Sequence, residues 1–275
     1  MTWRAAVKLA YDGRDFFGSQ RQPQVLTVED EVIRCLRKVR AIDDADASRF
    51  RAASRTDRGV SALGNVVAFD TSFRRDSLLR ALNSATEKVH FYGIAEVPDS
   101  FSPRRASGRW YRYFLDGLGL DQERVEECAM AFKGRQDFRR FCKADERSTV
   151  KELRKVRTMR VGDLLVVDLE AREFLRNMVR RIVAALEEVG AGRAHPDDVR
   201  RALAGEDIQF GLAPPEGLCL MDVRYGFEFE TDMPPNLRAR IRAGSQEAMF
   251  RLAFLDALAA RAGECHPSCE PDRFA

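Results

Sequence analysis

Ala53-Ser54-Arg55-Thr56-Asp57-Arg58-Gly59-Val60 runs directly into Ser61-Ala62-Leu63-Gly64-Asn65-Val66-Val67-Ala68-Phe69. The second part reads as a strand over Asn65-Val66-Val67-Ala68-Phe69. The first sets two arginines, a threonine and an aspartate against a glycine. Asp57 is therefore expected at the mouth of a strand, where a rigid scaffold can present it. An ordinary turn, with the carboxylate bonded to nearby backbone amides, uses the same residues. The rest of the chain decides between the two.

Before this stretch, Trp3 to Tyr11 alternates as a strand and stops at the turn Asp12-Gly13. Phe16 to Pro23 is a loop. Thr27 is the expected cap of a helix with acids in its first turn and Val28, Val32, Ile33 and Leu36 as its buried stripe. After it, Ser77 to Ala85 is expected as a helix and Val89 to Val97 as a strand. With Phe50 to Ser54 as a further short strand leading into the opening stretch, the order β-α-β-β-α-β is that of an RRM-like or ferredoxin-like α+β unit. Pro98 to Pro103 marks a break. A looser second round follows: a strand over Ala106 to Leu115, a helix over Gln122 to Phe132, and an antiparallel pair Leu153 to Arg160 and Leu164 to Ala171. Then come an amphipathic helix Phe174 to Val189, a short helix Pro196 to Ala204, a strand Leu218 to Tyr225 and a last amphipathic helix Gln246 to Ala262. Two α+β domains are expected, residues 1–104 with Asp57 and residues 105–275, sharing one long sheet.

The 275 residues, 45% hydrophobic and 32% charged, suit a globular chain of two modest domains. No apolar run reaches the length of a membrane span, and the first residues lack a signal peptide's apolar core. A cytoplasmic protein with no membrane partner is expected. Cysteines at 35, 128, 142, 219, 265 and 269 form no disulfide pattern. Cys265-His266-x-x-Cys269 is too sparse for a zinc site, and neither metal nor cofactor is expected. Net charge is only +3, but ten Lys or Arg against four acids lie between Arg135 and Arg160, a stripe that suits a phosphate backbone.

Chemistry on a nucleic-acid base needs an anion or nucleophile, an aromatic face and cations for phosphates. Asp57 suits the first role. Arg104 to Tyr113 interleaves arginines with aromatics, and on a strand Arg109, Tyr111 and Tyr113 share one face, opposite Trp110 and Arg112. Half-buried packing is the plainer account of those tyrosines. On the helix from Phe174, Arg176 and Arg180 lie four apart, suited either to solvent or to a carboxylate in a cleft.

Five motifs occur in order over residues 11–223. They are Tyr11-Asp12-Gly13-x-x-Phe16-x-Gly18-x-Gln20-x-Gln22; Arg55-Thr56-Asp57-x-Gly59-Val60-x-Ala62-Leu63-Gly64; Arg109-x-Tyr111-x-Tyr113; Phe174-Leu175-x-x-Met178-Val179-Arg180-x-Ile182-Val183; and Ala213-Pro214-x-Glu216-Gly217-Leu218-x-Leu220-x-Asp222-Val223. Together they resemble the TruA-type tRNA pseudouridine synthases. The resemblance implies two α+β domains around a continuous, mixed and largely antiparallel sheet, with helices on one side, a basic cleft between the domains, no cofactor and a homodimer. It implies Asp57 as the catalytic aspartate, Tyr111 as the tyrosine against the target base and Arg180 as the partner of the aspartate. It implies tRNA as the partner and positions 38–40 of the anticodon arm as the target. Gln20, Arg55, Arg58, Arg109, Arg154 and Lys155 are the expected RNA contacts, Arg55 filling the space that the target base leaves. Ser61 and Ser19 stand where bacterial members commonly carry His and Trp, departures expected to touch RNA contacts. A non-catalytic RNA-binding protein of the same fold, or a synthase with other tRNA positions, is the alternative. An acid–base hydrolase would need a second carboxylate beside Asp57.

Overall fold

The computed structural model describes residues 2–143 and 146–261. Ten strands form one sheet in the larger of two units, residues 1–232. Its first half runs β1 (Trp3–Tyr11), α1 (Val28–Lys38), β2 (Arg51–Ala52), β3 (Ser61–Thr71), α2 (Arg75–Ala85) and β4 (Val89–Val97). The second half runs β5 (Gly108–Asp116), α3 (Gln122–Met130), β6 (Gly134–Asp137), β7 (Val150–Val161), β8 (Leu164–Ala171), α4 (Met178–Gly190), α5 (Pro196–Leu203), β9 (Leu218–Arg224) and β10 (Glu230–Thr231). Strand order is β10-β4-β1-β3-β9-β5-β8-β7-β6, with β2 beside β3. Every pairing is antiparallel except β3 with β9. The expected mixed, largely antiparallel sheet is present and continuous across both halves.

Local chemistry explains most element ends. The Thr27 hydroxyl accepts the Asp30 amide, and Glu29, Asp30 and Glu31 fill the positive first turn of α1. His195 caps α5 in a reciprocal box with Asp198, ahead of Pro196. The hairpin between β7 and β8 turns at Gly162, whose φ of 59° is left-handed. Two expectations, both on helices, are corrected, and two short strands were not foreseen. α4 begins at Met178 rather than Phe174, because Asn177 takes a left-handed φ of 63° and breaks the helical run. β6 and β10 are too short to show a period of two. The last helix, α6 (Pro235–Arg261), begins eleven residues before Gln246 and is not amphipathic: Met249, Phe250, Leu252, Phe254, Leu255 and Leu258 are exposed and lie all round it. It is the described part of the second unit, which starts at Met233. Among the described residues no helix is long and apolar enough to cross a membrane.

One core cluster fills the larger unit, with Ala5, Val7 and Leu9 of β1 and Leu36, Leu78, Leu82, Met178, Ile182 and Leu186 of the helices fully buried. α3 and α4 touch at Gly190, where an added Cβ would lie 2.6 Å from Val125 Cγ2. Cys35, Cys128, Cys142 and Cys219 are buried thiols outside any disulfide. The other sheet face carries charge. Lys8 on β1 reaches Asp222 on β9 at 2.5 Å across β3 at Gly64, where a side chain would strike the Met221 carbonyl at 2.6 Å. Arg224 joins Glu170 at 2.8 Å, and Lys155 joins Glu170 at 3.2 Å. Asp168, 2% exposed, takes hydrogen bonds from Trp110 Nε1, Arg112 Nε and Arg112 Nη2 at 2.8 to 2.9 Å.

Burial alone would raise the Asp168 carboxyl, but the Arg112 and Trp110 donors hold it below the usual carboxylate range. A depressed folded value gives stability above the unfolded pKa of about 3.9 that disappears as pH falls through the folded value. Asp168→Asn should therefore cost about 2 kcal/mol at pH 7, the scale of a hydrogen bond to a charged group. The difference from wild type should shrink once pH drops below about 4. Urea unfolding at pH 7 and pH 3 measures both values, and an equal difference at the two would refute the assignment.

Candidate active site

Asp57 sits in a tight turn just before β3, where the Val60 amide donates to the Asp57 carbonyl at 3.1 Å. Gly59 takes a φ of 83°, as such a turn requires. Thr56 anchors the turn from both sides. Its amide donates to Ser19 Oγ at 2.8 Å, its carbonyl accepts the Ser19 amide at 3.0 Å, and its hydroxyl meets the Tyr11 hydroxyl at 2.8 Å. Asn65 on β3 holds the neighbouring Ser54 by both main-chain groups, accepting its amide at 3.3 Å and donating to its carbonyl at 3.0 Å. Burial, outweighing the hydrogen bonds from Thr56 and Asn65, pushes the Tyr11 hydroxyl up to about 12, so it stays protonated as a link in this network.

Arg180 lies in the first turn of α4, 13% exposed. Its Nη1 stands 3.6 Å from Asp57 Oδ2, and its Nε donates to the Ala213 carbonyl at 2.6 Å. The Ala213 amide returns a bond to the Arg180 carbonyl at 3.2 Å. The aspartate is thus paired, as the motifs implied, by a cation held from behind. Arg176, the other arginine of the expected pair, precedes the helix and is exposed.

Tyr111 is 8% exposed on β5 and packs edge-on against Phe174, ring centres 5.0 Å apart and planes at 82°. Burial, with smaller contributions from Tyr11 and Asp57, raises its hydroxyl well above the ordinary tyrosine range, against the pull of Arg109. It is a neutral phenol at neutral pH. Tyr113 has a different job: it is 2% exposed, and its hydroxyl donates to the Pro214 carbonyl at 2.9 Å.

Of the expected RNA contacts, Gln20, Arg55 and Arg58 are exposed beside this turn, with Arg58 4.2 Å above the Phe17 ring. Arg154 and Lys155 are exposed on β7. Arg154 donates to the Ser107 carbonyl at 3.0 Å, and Lys155 pairs with Glu170. Arg109 is turned inward, its donors on protein oxygens. Part of the basic stripe is paired as well: Arg139 with Asp137, Arg140 with Asp207 and Lys151 with Glu173. Ser19 and Ser61, the two departures from the bacterial pattern, bond the turn and the loop beside it. Ser19 is 2% exposed and bonds Thr56, while Ser61 Oγ accepts the Gly13 amide at 3.0 Å. Asn65, Phe174 and Ala213 were missed as supports. A lone amide in an apolar strand was the available signal for Asn65. Nothing in the sequence marks a carbonyl such as that of Ala213. Cys265, His266 and Cys269 lie outside the described residues.

A carboxylate paired with arginine beside a buried neutral tyrosine, on a mixed α+β sheet, is what the five motifs imply for a pseudouridine synthase. The family model for tRNA pseudouridine synthase matches residues 128–226. The tRNA pseudouridine synthase A of Pyrococcus abyssi is 43% identical over 231 residues, covering 82% of this chain and 86% of the relative. That of Thermococcus kodakarensis is 43% identical over 242 residues, 86% and 91% of the two chains. That of Methanosarcina mazei is 40% identical over 230 residues, 82% and 86%. The chain belongs to the tRNA pseudouridine synthase family, and is an isomerase of that class.

Gly13 gives a sharp test of how tightly the catalytic turn is held. A Cβ there would fall 2.3 Å from the Val60 backbone carbon, three residues beyond Asp57. Gly13→Ala should displace the turn and lower turnover by about 100-fold, the scale of a 1 Å misplacement. Gly226→Ala, whose methyl would meet nothing within 4 Å, should leave turnover within about twofold of wild type, under ~1 kcal/mol of barrier. Parallel rate assays on purified, folded variants separate the two.

Proposed function

We propose that the protein converts uridine to pseudouridine in the anticodon arm of tRNA, at positions 38–40. Asp57 supplies the carboxylate, Arg180 its countercharge and Tyr111 the face and phenol for the target base. The observation that carries this reading is the Asp57–Arg180 pair, formed between two separate motifs of a chain 43% identical to tRNA pseudouridine synthases A.

The reaction breaks the N1–C1′ bond, turns the base and joins C5 to C1′, after which C5 loses a proton and N1 gains one. Asp57 can attack the ribose, attack the base or take a proton from the sugar. Each route needs it anionic at the start and restores it at the end. Arg180 supports that charge and, being fixed by Ala213, need not reorganise during the reaction. Tyr111 is neutral and shielded, suited to pack on a base taken out of its stack and, as a neutral phenol, to hydrogen-bond to it while the C5 proton leaves.

Residues 1–104 and 105–275 serve in this reading as two RRM-like halves of the shared sheet, with RNA in a basic cleft between them. Homodimerisation and a cytoplasmic setting belong to the same reading and rest on the motif resemblance. Gln20, Arg55 and Arg58 face the RNA, with Arg55 filling the place of the displaced base. Arg154 and Lys155 add phosphate contacts. The Lys155–Glu170 pair is a surface pair worth at most about 1 kcal/mol, so RNA can replace its acid partner. Recognition by shape and phosphates suits a stem whose base edges are hidden.

Incubation with uridine-labelled tRNA tests the reaction. Wild type should form pseudouridine, Asp57→Asn should form none, and filter binding should find the variant's tRNA affinity within a few-fold. Turnover near wild type in Asp57→Asn would refute its role. Tyr111→Phe should slow the chemical step more than it weakens binding, whereas Tyr113→Phe should cost about 1 kcal/mol of stability and little rate. Charge reversal at Arg154 and Lys155 should weaken binding and flatten its salt dependence while leaving the single-turnover rate intact. Mapping pseudouridine in tRNA from cells lacking the protein decides the target. Unchanged modification at 38–40 with loss elsewhere would leave the reaction standing and the positions wrong.

A further inference from the structure

Arg109 stands two residues before Tyr111 on β5, and each of its nitrogens donates to the protein itself. Nε bonds Ser54 Oγ at 2.9 Å, Nη1 bonds the Arg172 carbonyl at 2.6 Å, and Nη2 bonds the carbonyls of Ala53 and Arg104, both at 3.2 Å. These oxygens belong to three separate segments. Ala53 and Ser54 lead into the Asp57 turn. Arg172 opens the loop that carries Phe174 onto the Tyr111 ring and enters α4 with Arg180. Arg104 lies in the connection between the two halves of the larger unit. Ser54 is also fixed at its amide and carbonyl by Asn65. A guanidinium at this point therefore acts on a segment that cannot slide away from it.

We propose that Arg109 is a positioning residue of the pseudouridylation site rather than an RNA contact, fixing the Asp57 turn, the Tyr111 strand and the entry to α4 relative to one another. The inference rests on the function proposed above. The acceptors explain the choice of arginine. One charged, planar fork satisfies three carbonyls and a hydroxyl in several directions, which the point charge of lysine cannot do. An arginine reaching for phosphate would keep donors toward solvent, whereas Arg109 has a protein oxygen on each nitrogen.

The test uses the full chain and a tRNA transcript. It compares wild type, Arg109→Gln, Arg109→Lys and Ser54→Ala by single-turnover rate at saturating protein, tRNA Kd across a salt series, and thermal melting. Arg109→Gln should slow the chemical step by about 100-fold and Arg109→Lys by at least about tenfold, since lysine keeps the charge and loses the fork. Ser54→Ala, which removes one acceptor, should give an intermediate loss. Kd and its salt slope should stay at the wild-type values throughout. A Kd that rises with a salt slope reduced by about one, and that Arg109→Lys restores, would make Arg109 a phosphate contact and overturn the proposal. A lower melting temperature with rates within threefold of wild type would reduce Arg109 to a structural role and also overturn it. Should Arg109→Gln fail to fold, Arg109→Lys and Ser54→Ala decide by the same criteria. Wild type that binds tRNA but forms no pseudouridine would overturn the proposed function together with this inference. An active wild type with unaffected variants would overturn the inference alone.

Discussion

Two residue pairs in parallel register, Ser61 with Cys219 and Ala62 with Leu220, govern the rest of the molecule. Parallel strands start at the same edge of a sheet, so the segments before β3 and β9 are forced side by side. One segment is the turn with Asp57; the other is Ala213 to Gly217. Their closeness is visible at Gly59, where a Cβ would lie 3.1 Å from Pro215 Cγ and 3.2 Å from Glu216 Oε1. Because the Ala213 carbonyl also holds Arg180, the same two pairs bring the arginine of α4 to the aspartate before β3. An antiparallel join would have sent the Ala213 segment to the opposite edge, with no path from Arg180 to Asp57.

Given that join, the site needs a turn that neither slides nor closes over its own carboxylate. In an ordinary Asx turn the aspartate side chain would take up local amides. Here the amide of Thr56 goes to Ser19, that of Ser54 to Asn65 and that of Gly13 to Ser61. Within the turn itself the Val60 amide goes to the Asp57 carbonyl, and the Asp57 carboxylate faces Arg180. Buried hydroxyls and amides are costly unless satisfied, and each one here has its partner within the protein. The network is therefore expensive to open and well suited to keeping one geometry while a large substrate pulls on the rim.

Much of this was legible in the residues. The ends of β1 and β4 follow from alternation and turn residues, and the helix starts at Thr27 and Pro196 follow from the unmet amides of a helix start. The motif residues Asp57, Tyr111 and Arg180 carried the site. Other features were hidden for definite reasons. Phe174 and Leu175 continue the apolar period of α4, so only the left-handed Asn177 reveals that the helix has not begun. The basic stripe looked free because its acid partners lie elsewhere in the chain: Glu173 for Lys151, Glu170 for Lys155 and Asp207 for Arg140. The acceptors of Arg109, three backbone carbonyls and the Ser54 hydroxyl, leave no mark in a sequence either.

The two serines that depart from the bacterial pattern bring these threads together. Ser19 and Ser61 each place one hydroxyl against main-chain amides of the catalytic turn or of the loop that abuts it. Neither position has room for much more. Ser19 is buried, and Gly13, which Ser61 holds, already lies against the Val60 backbone. The chemistry and the choice of RNA proposed above thus rest on different atoms of this protein. The first depends on the register of two strands and a closed set of hydrogen bonds. The second depends on exposed side chains, Gln20, Arg55 and Arg58, that the scaffold leaves free to differ.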